Sequence, residues 1–148
     1  MKNTLLMLLS LIMIVFSTSA FAKEVGVIVQ RDGRWYEPFT STLANGQYET
    51  YHENGQLKKV EAFKDGVRQG IHEEYYKSGR ISLRKTYKGN FTYGLVESYY
   101  ENGQVHFKGT WINAGWDGLY ERFNEDGTLK KKAFYKLGKQ YECEGECD

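Results

Sequence analysis

Proline occurs once in 148 residues, at position 38, and cysteine twice, at 143 and 147. No stretch after residue 22 sustains a 3.6-residue hydrophobic period, which excludes helices. Aliphatic side chains are scarce: Ile, Leu, Val and Met together number 18 in the 126 residues after position 22, and every Met lies before it. A two-layer domain is normally filled by such side chains from both layers, so that architecture is disfavoured. Aromatics number 21 in the same stretch, among many glycines. That mixture suits one thin sheet, with large rings covering the backbone and Tyr hydroxyls reaching water. The length bounds the chain to a single domain.

Charge of one sign is also missing. Beyond residue 22, 19 Lys and Arg balance 19 Asp and Glu. A neutral chain argues against nucleic acid, which selects a basic face, and against strong adsorption to anionic lipid. The run Lys130-Lys131-Lys132 reads as solvated strand lysines.

The one long apolar run, Leu5 to Phe16, follows Lys2 and precedes Ala20-Phe21-Ala22. This pattern predicts a secretory signal peptide over 1–22, cleaved before Lys23. The run is short of the roughly 20 residues a membrane-spanning helix needs, and no Cys follows it to take a lipid. The expected location is periplasmic or secreted, without stable membrane insertion after cleavage.

Gly46, Gly70, Gly94 and Gly118 are 24 residues apart, and a second set, Gly55, Gly79, Gly103 and Gly127, keeps the same spacing. Self-similarity at a fixed period is the mark of a repeat array. The units are 46–69, 70–93, 94–117 and 118–140. Each carries the leading Gly, a Glu three residues on (Glu49, Glu73, Glu97, Glu121), an alternating β-rich run, a turn pair and a second β-rich run. The turn pairs are Asn54-Gly55, Ser78-Gly79, Asn102-Gly103 and Asp126-Gly127. Asn-Gly and Asp-Gly predict two-residue type I′ hairpin turns. Each repeat is thus expected to be a hairpin that opens on its leading glycine, and consecutive hairpins to pair into a single-layer, twisted antiparallel meander. Two strands per repeat give roughly 10 Å per repeat. Residues 23–45 are expected to form an N-terminal strand and a degenerate capping half repeat, with Phe39 in phase with Phe63 and Pro38 on an edge strand. The acidic tail, 141–148, breaks the pattern and would blunt the sheet edge.

Gly-x-x-Glu-x-Tyr-x-x-Asn-Gly-x-Leu, followed by an aromatic-Lys-Asp-Gly connection, resembles the MORN-repeat variant of bacterial proteins labelled YwqK-type antitoxins. The resemblance covers residues 31–140. It implies antiparallel sheet arrays, protein binding and, for some members, neutralisation of a partner toxin. The expected export sets this chain apart from an antitoxin acting against a cytosolic toxin.

No residues stand out for catalysis. Equivalent Glu residues two strands apart would lie about 10 Å from each other, beyond the spacing that paired carboxylates use. Each is expected to bond to a turn or to a lysine such as Lys58 or Lys130. The in-phase rings Tyr51, Tyr75, Tyr99 and Phe123, with Phe63, Tyr87, Trp111 and Tyr135, are expected to pack repeat on repeat. Tyr76, Tyr93, Tyr100 and Trp116 read as off-phase and hence as candidate partner contacts, because Tyr and Trp anchor interfaces. His52, His72 and His106 share no ligand spacing, and no cofactor or nucleotide fingerprint is present. Cys143 and Cys147 suit a small disulfide in an oxidising compartment; metal capture is a minor alternative.

The function expected from sequence is that of an exported, non-enzymatic binding protein. Its partner would be another protein, a toxin or an envelope component, in a toxin-antitoxin or immunity-like role. The alternative is recognition of lipid head groups or glycan through an aromatic sheet face.

Overall fold

The computed structural model describes residues 27–112 and 114–141. The expected signal segment, the start of the expected cap, and Cys143 and Cys147 lie outside the described residues. Among those described there are eleven strands and no helix. Strands β1 (Val29–Arg31) and β2 (Arg34–Tyr36) form a separate two-stranded hairpin. The rest are β3 (Gly46–Tyr51), β4 (Leu57–Lys64), β5 (Val67–Tyr75), β6 (Ile81–Lys88), β7 (Phe91–Tyr99), β8 (Val105–Ile112), β9 (Gly115–Phe123), β10 (Leu129–Lys136) and β11 (Lys139–Tyr141). These nine make one open antiparallel meander in chain order, with β3 and β11 at its edges. The all-β, single-layer hairpin array expected from the sequence is the fold observed.

Two turn types alternate along the sheet, in the reverse of the expected assignment. The type I′ turns lie between repeats: Asp65-Gly66 (φ 50° and 71°), Gly89-Asn90 (63° and 69°) and Leu137-Gly138 (52° and 78°) all have positive φ at both positions. Within repeats, the turns ending at Gly55, Gly79, Gly103 and Gly127 are three-residue loops, not two-residue ones. In each, the glycine N–H bonds the carbonyl three residues back, on His52, Tyr76, Tyr100 and Asn124 in turn, at 2.9 to 3.0 Å. Tyr100 N–H also bonds Gln104 O at 2.8 Å. Of each loop's residues only the glycine is left-handed, at φ 80°, 83°, 92° and 83°. That is a type I turn closed by a left-handed glycine. In three of the four turns the side chain before the glycine holds this geometry. Asn102 Oδ1 accepts from Gln104 N–H at 2.9 Å, and its Nδ2 donates to Glu125 O in the next repeat's turn at 2.7 Å. Asn54 does the same with Gln56 and Lys77. Asp126 accepts from Thr128 N–H at 2.9 Å. Gly79 and Gly127 also sit under the preceding repeat, where an added Cβ would stand 3.1 Å from the Gln56 and Gln104 side chains respectively.

Among the repeat-leading glycines, only Gly46 begins a strand. Gly70, Gly94 and Gly118 each lie three residues inside β5, β7 and β9. Gly46, Gly70, Gly94 and Gly118 face Phe63, Tyr87, Trp111 and Tyr135 directly. On the other side the register skips, between Glu61 and Phe63 beside Gly70, Lys85 and Tyr87 beside Gly94, and Gly109 and Trp111 beside Gly118. Gly70, at φ 96°, therefore occupies a bulge where only glycine adopts the backbone cheaply.

The cap differs from the half repeat expected. Phe39 is fully exposed at φ 59°. Pro38 precedes it in a turn closed by Thr40 N–H to Glu37 O, not on an edge strand. Pro second and positive φ third is the pattern of a type II turn. Trp35 supplies the ring instead, 5.6 Å from Phe63, with Arg68 stacked 4.6 Å from its centroid. Trp35 N–H also bonds Gly66 O, and Gly66 N–H bonds Ala44 O, so the β1–β2 hairpin is fastened to the first inter-repeat turn. Ala44, Tyr48 and Phe63 are the buried cluster there, with Ile28 and Trp35 against it.

Candidate binding surface

Residues directly opposite on neighbouring strands share a sheet face. Following the register across the meander gives one unbroken row: Glu49, Val60, Glu73, Arg84, Glu97, Lys108, Glu121, Lys132. From Glu73 onward the charges alternate in sign. Arg84 Nε lies 2.8 Å from Glu73, and Lys108 Nζ lies 2.9 Å from Glu121. Tyr51 and Tyr75 hydroxyls donate to Glu49 and Glu73, each at 2.5 Å. The expected lysine partners, Lys58 and Lys130, are instead the residues skipped where the register shifts. The Tyr75 bond, opposed in part by burial and helped by Arg84, keeps the Glu73 carboxyl below its ordinary range. Burial and then Glu73 push the Tyr75 hydroxyl up to about 12. Glu73, held by one guanidinium and one phenol, is fixed as an acceptor.

The same face carries apolar rows on both sides of this ladder. One runs Ile71, Thr86, Leu95, Thr110, Leu119 and Phe134, and its four apolar members are all exposed. The other pairs Tyr75 with Ile81, Tyr99 with Val105, and Phe123 with Leu129.

The opposite face is the packed one. Rings meet along it at Phe107, Trp111, Trp116, Tyr120 and Tyr135, with centroids 4.9 to 6.0 Å apart. Trp116 therefore belongs to the ring stack, lying over Gly109, where an added Cβ would stand 3.1 Å from it. Nearer the N-terminal end, buried Glu61 accepts from Lys59 at 2.6 Å and Arg68 at 2.8 Å. His72 Nδ1 stands 3.4 Å from the same carboxylate, while its Nε2 is 2.8 Å from Glu74. Burial alone would raise Glu61, but His72, Lys59 and Arg68 outweigh it and hold the carboxyl well below the usual range.

Tyr76 and Tyr100 are not off-phase. They share a 24-residue spacing with His52 and Asn124 and open each within-repeat turn. Tyr76 Oη donates to Tyr99 O at 2.6 Å, Tyr100 Oη donates to Phe123 O at 2.9 Å, and His52 Nε2 is 2.8 Å from Tyr75 O. Each is a rung from one repeat to the next, half-buried rather than displayed. Aligning the turns by phase could have found this, because the first turn residue carries a polar group in all four repeats.

Of the four expected contact residues, Tyr93 alone is open, at 45% exposure, beside Phe91 at 74%. With Lys88, Thr92 and Ala114 they line a recess of about 480 Å³, and Lys88 Nζ sits 5.3 Å from the Tyr93 centroid. Phe91 has Val67, Gly115 and Lys139 at its repeat equivalents, and Tyr93 has Gln69 and Asp117 in the flanking units. A second recess, about 510 Å³, is lined partly by the rung His52 and by Tyr51 and Tyr75, the tyrosines bonded to the ladder.

The three histidines lie apart in role: His52 is a rung, His72 is buried, and His106 packs 4.6 Å from the Tyr100 ring. Among the described residues no group of His, Cys, Asp and Glu is arranged to hold a metal. No helix among them is long and apolar enough to cross a membrane.

The family model described as MORN repeat variant matches residues 44–65, 92–113 and 116–137. Two of its starts are 24 residues apart and the third lies two periods earlier, the spacing read from the glycines. Comparison with curated proteins and with solved structures gives no match. Repeats of this kind are generally binding modules. The chain is therefore similar to the MORN repeat variant at three positions of its hairpin array.

Proposed function

We propose that this is an exported, non-enzymatic binding protein that captures another protein at the Phe91–Tyr93 recess. The observation that carries the reading is a break in symmetry. The ladder from Glu73 onward and the rungs recur in phase and serve the fold, and the non-repeating rings Phe107 and Trp116 are packed in the ring stack, whereas Phe91 and Tyr93 are large, exposed and unlike their equivalents in neighbouring repeats. Exposed aromatics beside a cation are what interface anchors look like before a partner covers them. The signal-like N-terminus supports a partner in the periplasm or outside the cell. An antitoxin or immunity role fits a toxin that acts in the envelope.

Affinity capture from an envelope extract, comparing the wild type with Phe91→Ser/Tyr93→Ala, tests this. A protein retained by the wild type and lost from the double variant supports the reading; equal retention by both refutes it. The Lys88–Tyr93 pair also favours a second reading, stacking of the ring on a glycan. Co-sedimentation with peptidoglycan that depends on Tyr93 would support that reading instead.

A further inference from the structure

We propose that two copies of this chain pair face to face through the charge ladder, about a two-fold axis parallel to the strands between β7 and β8. The inference stands apart from partner capture at the recess and rests on the order of charges. From β5 to β10 the row reads Glu73, Arg84, Glu97, Lys108, Glu121, Lys132. An alternating row of six is complementary to its own reversal. The stated axis reverses the order of strands while keeping position along them. Glu73 then faces Lys132 of the second copy, Arg84 faces Glu121, and Glu97 faces Lys108, with all three pairs repeated in the other direction. Such an isologous contact is the commonest closed arrangement for a homo-oligomer.

The flanking rows fall into place under the same operation. Ile71, 58% exposed, meets Phe134 of the second copy, and Leu95 meets Thr110. On the other side Tyr99 meets Val105 and Tyr75 meets Leu129. Apolar side chains thus meet at Ile71–Phe134 and along the whole second row, while Leu95 and Leu119 cover the threonines of the first. Six strands about 4.8 Å apart and five residues about 3.4 Å apart give a footprint of roughly 500 Å² per copy, or about 1,000 Å² for the pair. That meets the threshold for a specific interface. The apolar rows supply the attraction, and the ladder sets the register, since charged pairs at interfaces discriminate more than they bind. Sheet twist rotates stacked sheets by about 30°, so the match is tightest at the central Glu97–Lys108 pairs.

Sedimentation velocity of the purified protein across the micromolar range tests the pairing. The wild type is expected to sediment as a dimer, and Ile71→Glu to weaken the dimer at least tenfold with an unchanged melting temperature. Glu97→Lys and Lys108→Glu should each sediment as monomers, because each alone sets like charges opposite one another. Mixing these two variants should restore a dimer, since the introduced lysine of one copy then faces the introduced glutamate of the other. A wild type that remains monomeric, or a dimer indifferent to Ile71→Glu, overturns the proposal. If the charge variants fail to fold, the Ile71→Glu result decides alone.

Discussion

The Tyr76 hydroxyl donates a 2.6 Å hydrogen bond to the carbonyl of Tyr99, 23 residues further along the chain. Burial is the main reason its pKa is raised, as expected of a phenol placed against a partly buried carbonyl. The bond ties one repeat's turn to the end of the next repeat's first strand. Tyr76→Phe and Tyr100→Phe should each lose about 1 kcal/mol, the usual net worth of such a bond. Tyr93→Phe, with no such carbonyl, should stay within about 0.5 kcal/mol of wild type. Urea denaturation of the three variants separates them.

Two glycines should be intolerant of alanine for different reasons. Gly94 has φ 93° and open space where a Cβ would go, whereas at Gly109 the Cβ would stand 3.1 Å from Trp116 and 3.2 Å from Tyr120. Each Gly→Ala change is expected to cost about 1 kcal/mol or more, through backbone strain at Gly94 and overpacking at Gly109. Adding Trp116→Leu should relieve part of the loss at Gly109 and none at Gly94. The double variants in thermal denaturation make the distinction.

Acid and alkali should act on different groups of the sheet. The Glu61 carboxyl is depressed in the folded protein, so its stabilisation is present above the unfolded carboxylate range and is lost as pH falls through the folded value. Tyr75 is raised to about 12, so its stabilisation is complete below about pH 10 and is lost as pH rises toward 12. Glu61→Gln should therefore flatten the acid limb of a stability–pH curve, and Tyr75→Phe the alkaline limb. Tyr75→Phe should also flatten part of the acid limb, because it removes the bond that depresses Glu73, whereas Glu61→Gln should leave the alkaline limb unchanged.

Trp35→Ala should cost about 3 kcal/mol, the range for truncating a packed ring. It removes the contact with Phe63 and the cation–π contact with Arg68. Phe39→Ala should change nothing measurable, because that ring is fully exposed. Equal effects on melting temperature would return the capping role to Phe39.

The glycine period made the hairpin array and its meander legible, because one residue type at a fixed spacing demands one backbone geometry. Turn type was not legible. Asn54 and Asn102 spend their side chains on the next repeat's turn, and a local Asn-Gly preference cannot register a partner 23 residues away. Strand starts were misread for a similar reason: Gly70, Gly94 and Gly118 mark bulges within strands, and a bulge exists only relative to the strand beside it. The ladder was missed because Arg84, Lys108 and Lys132, themselves 24 residues apart, meet the Glu row only once those bulges fix the antiparallel register. The phase argument also misassigned Phe39, since Trp35 reaches the Phe63 ring through a turn the repeat does not contain. Tyr76 and Tyr100 went astray because exposure was inferred from sequence position, while their hydroxyls find carbonyls that only the stacked repeats supply.

Partner capture through residues that break the repeat is the central claim, and one comparison tests it most directly. The protein recovered from envelope extract is titrated against wild type, Phe91→Ser/Tyr93→Ala and Tyr76→Phe, with each melting temperature recorded. The Phe91/Tyr93 variant is expected to keep its melting temperature and lose binding at least tenfold, while Tyr76→Phe loses stability and keeps its affinity. Wild-type affinity in the Phe91/Tyr93 variant would contradict the claim.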